Sequence, residues 1–528
     1  MSDNNKTILW VDDEIELLKP HIILLNQRGY NVDTCTNGAD AIELIKKYNY
    51  KLVFLDEMMI GMTGLETLAA IKDYDPSIHV VMATKNEEES LMEEAIGRKI
   101  SDYLTKPINP AQVLLVCKKF IDKDRISKEV FTQDYISGFA QLSAQLYQPQ
   151  NWNSWGEIYH KLITWNLQID KLDDVGLKET LQGKWNDCNQ EFSRFVENNY
   201  LNWINHPDDK RDADNPVMSP HILDNYLLPV LKQHSKHIYF IVIDCLRYDQ
   251  WLVIQDVLSP FFSFKPNLYC SILPTATPYA RNSIFAGLYP IEIKKHYPQF
   301  WNVSSNSEEH KQNAFEKDLL EAYLVRKKMH HKNKMAFLKI FDANFGKMIE
   351  KDFSKFMKNS LNAIIINAVD MISHSRSDSA ILKEIVPDET AYRQLTKSWF
   401  LHSSLFGMMK QIATQKSAKI IITTDHGSIR CMRGIKVLGD KNTSVNLRYK
   451  FGRNVNTDAK GTLQFSEPTD FKLPSFGLTV SNLIAKENYY FVYPTDYHHY
   501  LAKFKDSFQH GGISLEEMMI PVIEAEPK

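Results

Sequence analysis

The chain has 528 residues, 44% of them hydrophobic and 24% charged, with a formal net charge of −3. This length exceeds what one core organises and points to about three domains of roughly 150 residues, and the near-neutral charge excludes a global attraction to nucleic acid, so basic patches have to be argued one by one. No apolar run reaches the ~18 residues of a membrane span, MSDNNKTILWVDDE lacks the basic flank and apolar core of an export signal, and the six cysteines at 35, 117, 188, 245, 270 and 431 make no CxxC pair, which together predict a cytoplasmic chain in a reducing compartment with no membrane insertion.

From Lys6 to about Lys123 short apolar runs alternate with amphipathic stretches: TILWVDDE, ELLKPHIILLNQRG, KLVFLDEMM, HVVMATK and ISDYLTKP. The pattern predicts a βα repeat and a doubly wound parallel sheet. Polar residues fall at the strand ends: Asp12 and Asp13, Asp56, Thr84, and Lys106. Three carboxylates at one sheet edge make a hard oxygen site suited to Mg²⁺, which neutralises an incoming phosphoryl group. Asp56 is the candidate nucleophile, with the Thr84 hydroxyl and the Lys106 ammonium placed to hold phosphate oxygens. Pro107 after Lys106 suggests a rigid turn with a cis peptide.

Between Asp124 and Leu228, apolar and aromatic residues recur at helical spacing, interrupted by QPQN and HPDDKRDADNP. Three or more amphipathic helices follow, with tryptophans 152, 155, 165, 185 and 203 as core residues. No helix-turn-helix is evident, which argues against a DNA-binding output.

In the second half, three apolar runs each lead into an acid: HIYFIVIDCLR at Asp244, NAIIINAVDMISH at Asp370 and AKIIITTDHG at Asp425. Such runs read as buried parallel strands, whose carboxyl ends gather the chemistry in open α/β sheets. His374 stands one helical turn after Asp370, and His426 follows Asp425. His510, in the FQHGGISLEEMMIPVI turn, supplies the third ligand of an open zinc-type arrangement with Asp370 and His374. SILPTATPYARNSIFAGLYP offers a hydroxyl nucleophile at a strand-to-helix junction, Thr275 or Thr277, where the free N–H groups of a helix start favour a phosphoryl group. Two basic segments, RKKMHHKNK at 326–334 and NLRYKFGRN at 446–454, hint at a polyanion. In the second, Arg448, Lys450 and Arg453 alternate with Tyr449 and Phe451, a pattern that grips phosphates while stacking bases.

Two family resemblances are carried by these motifs. The acid pair, DEMMIGMTG, Thr84 and DYLTKP resemble a response-regulator receiver domain. That resemblance implies Asp12 and Asp13 as Mg²⁺ ligands, Asp56 as phosphoacceptor, Thr84 and Lys106 as phosphate-responsive groups and Tyr103 as the aromatic switch. Ile60 departs from the proline usual there. From about residue 230 onward, VIDCLRYDQW, PTATPYARN and QHGGISLEEMMIP resemble the PglZ branch of the alkaline phosphatase superfamily. The nucleophile segment also resembles that of nucleotide pyrophosphatase/phosphodiesterases, whose threonine falls on Thr277. By that match one zinc ion is held by Asp244, Thr277, Asp425 and His426, and the other by Asp370, His374 and His510. The phosphate-binding asparagine of the phosphodiesterases aligns with Ala280, which leaves its job either to the adjacent Arg281 or to no residue.

The expected architecture is an α/β multidomain chain. It has a flavodoxin-like receiver at 1–123, a central helical bundle at 124–228 and an alkaline-phosphatase-like α/β domain at 229–528. The combination is similar to PorX-type regulators of Bacteroidetes, associated with type IX secretion. The expectation is a phosphorylation-gated two-zinc phosphodiesterase acting on small or cyclic oligonucleotides. Its partners would be a sensor histidine kinase, a second copy on phosphorylation, and secretion components or a sigma factor. The rival reading is a dimerising docking protein with little catalysis.

Overall fold

Each short apolar run in the N-terminal part becomes a parallel strand. The strands are β1 (Thr7–Val11), β2 (Asn31–Cys35), β3 (Leu52–Asp56), β4 (His79–Thr84) and β5 (Asp102–Thr105), in the order β2-β1-β3-β4-β5. This is the flavodoxin-like doubly wound order. The reason is visible in the side-chain alternation. Ile8 and Trp10 join one apolar cluster with Phe54 and Val81, while Leu9 and Val11 join a second with Val53, Leu55, Val80 and Met82. Both faces are therefore covered, as a parallel sheet requires. Helix starts are capped locally: Asn37 accepts from the Asp40 amide, and Thr63 with Glu66 forms a capping box.

The computed structural model describes residues 7–85, 100–172, 174–206, 215–233, 237–302, 313–329, 334–439, 444, 446–457, 460–475 and 480–528. The chain divides into two units, Met1–Gln141 and Leu142–Lys528. The helices expected between the domains are shared out by this division. Lys123–Gln145 spans the boundary, whereas Trp152–Leu172 and Val175–Asn205 belong to the second unit. These last two pack through Trp155 on Phe192, Trp152 on Trp203 and Tyr159 on Trp185, edge to face. All five tryptophans of this region are buried.

The second unit is built on β6 (His237–Ile243), β7 (Phe262–Cys270), β8 (Met335–Ile340), β9 (Leu361–Ile366) and β10 (Ala418–Thr423). The later strands are β11 (Ile429–Cys431), β12 (Arg433–Lys436), β13 (Tyr449–Arg453), β14 (Thr462–Phe465), β15 (Val480–Ala485), β16 (Tyr489–Val492), β17 (Ser507–Gln509) and β18 (Met519–Pro527). The main sheet runs β7-β18-β10-β6-β9-β8, with β10, β6, β9 and β8 mutually parallel. β18 pairs antiparallel with β10 and β7. β11 to β17 form three small sheets beside it. β6 is buried from Ile238 to Ile243 and has β9 on one side and β10 on the other. Its carboxyl end therefore opens between two parallel neighbours, where such sheets place their ligands. Among the described residues no helix is long and apolar enough to cross a membrane.

Candidate functional site

In the first unit the strand ends converge as expected. Ligand atoms of Asp12, Asp13 and Asp56 lie within 4.8 Å of one another. Lys106 Nζ sits 2.8 Å from Asp12 Oδ2 and 2.9 Å from Asp56 Oδ1. Burial and the neighbouring acids raise the Asp56 pKa, against the pull of Lys106. Burial works against the charge of Lys106, but Asp12 and Asp56 outweigh it and hold the ammonium protonated. Thr84 ends β4 and is buried; Tyr103, on β5, is exposed. The Lys106–Pro107 peptide is cis.

In the second unit two further clusters form side by side. Ligand atoms of Asp244, Asp425 and His426 lie within 4.8 Å of one another, as do those of Asp370, His374 and His510. The strands bring this about: Asp244 follows β6 and donates its amide to Ile366 O of β9, and Asp425 follows β10. Asp370 and His374 share one face of the helix Ala368–Asp378, with His374 Nε2 3.4 Å from Asp370 Oδ1. His510 Nε2 lies 3.7 Å from the same oxygen. The His426 and His510 rings stack with centroids 4.2 Å apart, so the clusters are neighbours.

The histidines are oriented from behind. His426 Nδ1 is 3.1 Å from Gly427 O, and His510 Nδ1 is 3.4 Å from Thr275 O. With Nδ1–H donating to a carbonyl, each Nε2 presents a lone pair to its cluster, the arrangement a metal ligand needs. Burial lowers the His510 pKa, which favours the neutral ring. Asp370 Oδ1 is buried without a hydrogen-bond partner. Its burial resists ionisation, but His374, His510 and His426 together hold its carboxyl well below the usual range. A buried, unpartnered carboxylate oxygen facing two imidazole nitrogens fits a Zn²⁺-type cation, and the one-carboxylate, two-histidine set leaves a position open. The other cluster offers oxygen and nitrogen donors that suit Zn²⁺ or Mn²⁺, while the all-oxygen set of the first unit suits Mg²⁺.

The two threonines separate. Thr277, first residue of the helix Thr277–Ala286, has Oγ1 3.0 Å from His426 Nε2 and 3.5 Å from Asp244 Oδ1. Thr275 instead donates to Gly512 O at 2.8 Å and accepts from the Gly511 amide at 3.1 Å. It stitches the His510 turn to the Thr277 turn. Gly511 occupies φ +119°, a conformation that L side chains rarely adopt.

Arg281 is fully buried in a carboxylate cage. It pairs with Asp244, with Asp425 at 3.0 Å and with Glu316 at 3.4 Å, and Lys339 in turn pairs with Glu316 at 2.5 Å. Burial raises the Asp244 pKa and Asp425 and Asp370 push it further, with Arg281 opposing. Burial also opposes ionisation of Asp425, but Arg281 and His426 prevail and lower its pKa. Glu316 and Lys339 carry no local sequence signal, because their partners come from distant elements.

The basic segment at 446–454 is neither a solvated loop nor a phosphate grip. Arg448 is buried and forks onto Glu517, Nε to Oε1 at 3.1 Å and the second pair at 2.5 Å. Lys450, on β13, is buried, donates to Ser444 O at 2.9 Å and has its pKa lowered to about 7 by burial. Of the three cations expected to bind substrate there, only Arg453 is exposed. Glu517 also accepts from the Gly512 amide at 2.8 Å and from Ser514 Oγ at 2.7 Å, so Arg448 serves to lock the His510 turn. The LEE acids of that turn were the available signal: charges in an otherwise apolar run ask for buried partners. In the other basic segment, Arg326 donates to Ala286 O at 2.5 Å and Lys327 pairs with Asp224 at 2.6 Å, while residues 330–333 lie outside the described residues.

Comparison with known proteins places three regions. Residues 222–525 match the BREX system PglZ alkaline phosphatase-like domain, residues 8–118 the response regulator receiver domain, and residues 125–204 the PorX response regulator linker domain. The transcriptional regulatory protein ZraR of Klebsiella oxytoca is 32% identical over 142 residues, 27% of this chain and 32% of that protein. YvrH of Bacillus subtilis, also a transcriptional regulatory protein, is 31% identical over 149 residues, 27% of this chain and 62% of its own. The chain thus spans between about a third and three-fifths of the length of these two curated relatives. The chemotaxis protein CheY of Halobacterium salinarum is 30% identical over 109 residues, 21% of this chain and 91% of that protein. Among solved structures, the receiver domain of NtrX from Brucella abortus is 29% identical, covering 22% of this chain and 98% of that one with a TM-score of 0.21.

Glu517→Gln is expected to cost about 3–5 kcal/mol, because it leaves the Arg448 guanidinium buried without its counter-charge. Denaturant unfolding of the second unit measures this, and an unshifted midpoint would show that Arg448 does not depend on the pair.

Proposed function

Since the chain belongs to the PglZ alkaline phosphatase-like family, in the receiver, linker and PglZ arrangement of a PorX-type regulator, we propose that it is a response regulator whose output is metal-dependent phosphodiester hydrolysis. A sensor histidine kinase phosphorylates Asp56, and phosphorylation governs dimerisation and the output domain. Thr277 is the nucleophile, and the substrates are small or cyclic oligonucleotides. The cellular role is cytoplasmic control of type IX secretion, through secretion components or a sigma factor.

The observation that carries this reading is the Thr277 hydroxyl. It stands 3.0 Å from His426 Nε2 at the start of a ten-residue helix, inside a cage of buried carboxylates. At that helix start Pro278 has no N–H and the Tyr279 and Ala280 amides already bond to Ala276 O, so it is the helix dipole that favours the charge of phosphate oxygens there. Two zinc ions bound at the Asp244–Thr277–Asp425–His426 and Asp370–His374–His510 sets would lower the pKa of the hydroxyl and of a water, and offset charge on the leaving oxygen. Thr277 Oγ1 then gives up its proton and bonds to phosphorus while the ester oxygen leaves. Water afterwards cleaves the phospho-threonine bond and restores the hydroxyl. His426 and His510 keep their Nε2 atoms directed inward through Gly427 O and Thr275 O.

Diesters are favoured over monoesters by the state of Arg281. A monoester carries an additional phosphate charge that calls for a free cation, and Arg281 is already divided among Asp244, Asp425 and Glu316. The segment 446–454 adds no such cation from Arg448 or Lys450, because both are buried.

With zinc loaded, the protein is expected to hydrolyse bis(p-nitrophenyl) phosphate faster than p-nitrophenyl phosphate. Thr277→Ala should lose about 10³-fold or more in kcat, and Thr277→Ser should retain measurable turnover. Absence of turnover of either ester, with metal content verified, would instead support the docking-protein reading. Acetyl phosphate should give a Phos-tag mobility shift that disappears in Asp56→Ala. A shift that survives the substitution would remove Asp56 as the acceptor.

A further inference from the structure

One linker helix is bolted to the segments that carry Thr277 and His510. The helix Val175–Asn205 is capped by Asp174 and runs for 31 residues. Trp185, Asn189, Ser193 and Tyr200 fall on one of its faces at helical spacing. Trp185 Nε1 donates to Glu516 Oε1 at 2.6 Å, and Asn189 Nδ2 donates to Glu516 Oε2 at 3.0 Å. The Asn189 Oδ1 accepts from the Leu515 amide at 2.8 Å. Ser193 Oγ donates to Ile513 O at 3.4 Å. Further along, the Tyr200 hydroxyl accepts from the Leu273 amide at 2.8 Å, four residues ahead of Thr277.

These groups are all buried. Apolar packing alone would hold a helix against the domain without fixing its height along its own axis. Buried directional bonds fix that height, and leaving any one of them unmade is costly. The same strap reaches a second histidine: a Cβ on Gly427 would stand 1.9 Å from Glu516 O, so the residue after His426 is pressed against the segment that the helix holds. A hydrogen bond near 2.8 Å is lost by about 3.6 Å, so a slide of the helix by about 1 Å would break the set. A misplacement of about 1 Å at reacting groups costs about 10²-fold in rate.

We infer that the helix Val175–Asn205 is a positioning element of the proposed active site, with Asn189 setting the His510 turn through Glu516 and Leu515, and Tyr200 setting the Thr277 turn through Leu273. The linker is thereby part of the machinery it appends, and a movement of this one helix reaches the nucleophile and a ligand of the second cluster together. The inference deepens the phosphodiesterase reading and rests on it for the kinetic readout, whereas the zinc readout stands without it.

The test uses the full chain loaded with zinc, in three variants. Asn189→Leu removes the amide at nearly constant volume, Tyr200→Phe removes one oxygen, and Cys188→Ala removes buried packing from the same helix, where no hydrogen bond to either segment occurs among the described residues. Turnover of bis(p-nitrophenyl) phosphate, transfer of zinc to a chromogenic chelator and thermal midpoint are measured for each. Asn189→Leu is expected to lower kcat by about tenfold or more with KM changed by less than about twofold, and to release one of its two zinc ions about tenfold faster. Tyr200→Phe should lower kcat by about threefold or more. Cys188→Ala should lower the thermal midpoint while leaving kcat and zinc release within about twofold. The inference is overturned if Asn189→Leu and Tyr200→Phe match wild type in both kinetic readouts, or if Cys188→Ala reproduces their losses. Wild type that holds zinc but cleaves no diester overturns the phosphodiesterase reading alone, and zinc release still decides the role of the helix. Wild type that holds no zinc overturns both. Should Asn189→Leu fail to fold, Tyr200→Phe decides.

Discussion

Three carboxylates, Asp244, Asp370 and Asp425, are brought together beyond the ends of β6, β9 and β10, in a part of the molecule largely shielded from water. Two like charges about 4 Å apart repel by about 4 kcal/mol even at an effective dielectric of 20. Such a set persists only if cations answer it, or if protons do. One answer is internal: Arg281 reaches Asp244 and Asp425, and is itself steadied by Glu316 and Lys339. Among the described residues it makes no ion pair with Asp370, whose buried Oδ1 faces the Nε2 atoms of His374 and His510. The geometry thus asks for further positive charge on that side, which is the physical basis for the metal centres proposed above.

Holding such a set requires a rigid scaffold, and the polar contacts around it supply one. The His510 turn is fixed by the buried Arg448–Glu517 fork, by Thr275 and by the linker helix through Glu516. Gly427 lets the His426 loop pass directly under Glu516 O, an approach no side chain would allow. The His426 ring is turned by one carbonyl and the His510 ring by another. Sites built this way keep their groups within a fraction of an ångström, which phosphoryl transfer demands.

What was legible in the sequence follows from which interactions are local. Asp244, Asp370 and Asp425 could be read because each follows a β-branched run that can only be a buried strand, and the edge of a parallel sheet is where polar residues collect. The receiver pocket was legible for the same reason, and the spacing of Asp370 and His374 placed both on one helical face. Arg448 is not an available cation because it is buried on Glu517, 69 residues away, and the LEE acids signal a need for buried partners without saying which residue meets it; Lys450 is buried too, on Ser444 O. The contact between Trp185 and Glu516 spans 331 residues. Periodicity identified Trp185 as a core residue, which it is, but could not reveal that its indole N–H ends on an acid beside the site. The antiparallel strand β18, inserted between β7 and β10, was equally silent, since the nine residues MIPVIEAEP carry no mark of the strand's direction.

The most direct test of the central claim is an anomalous difference map from crystals grown with zinc, with data collected on both sides of the zinc absorption edge. Two peaks are expected in the second unit, one among Asp244, Thr277, Asp425 and His426 and the other among Asp370, His374 and His510, each vanishing below the edge. Peaks at neither position, with Arg281 still astride Asp244 and Asp425, would contradict the account. The guanidinium would then be the resident cation, and the cluster a structural one.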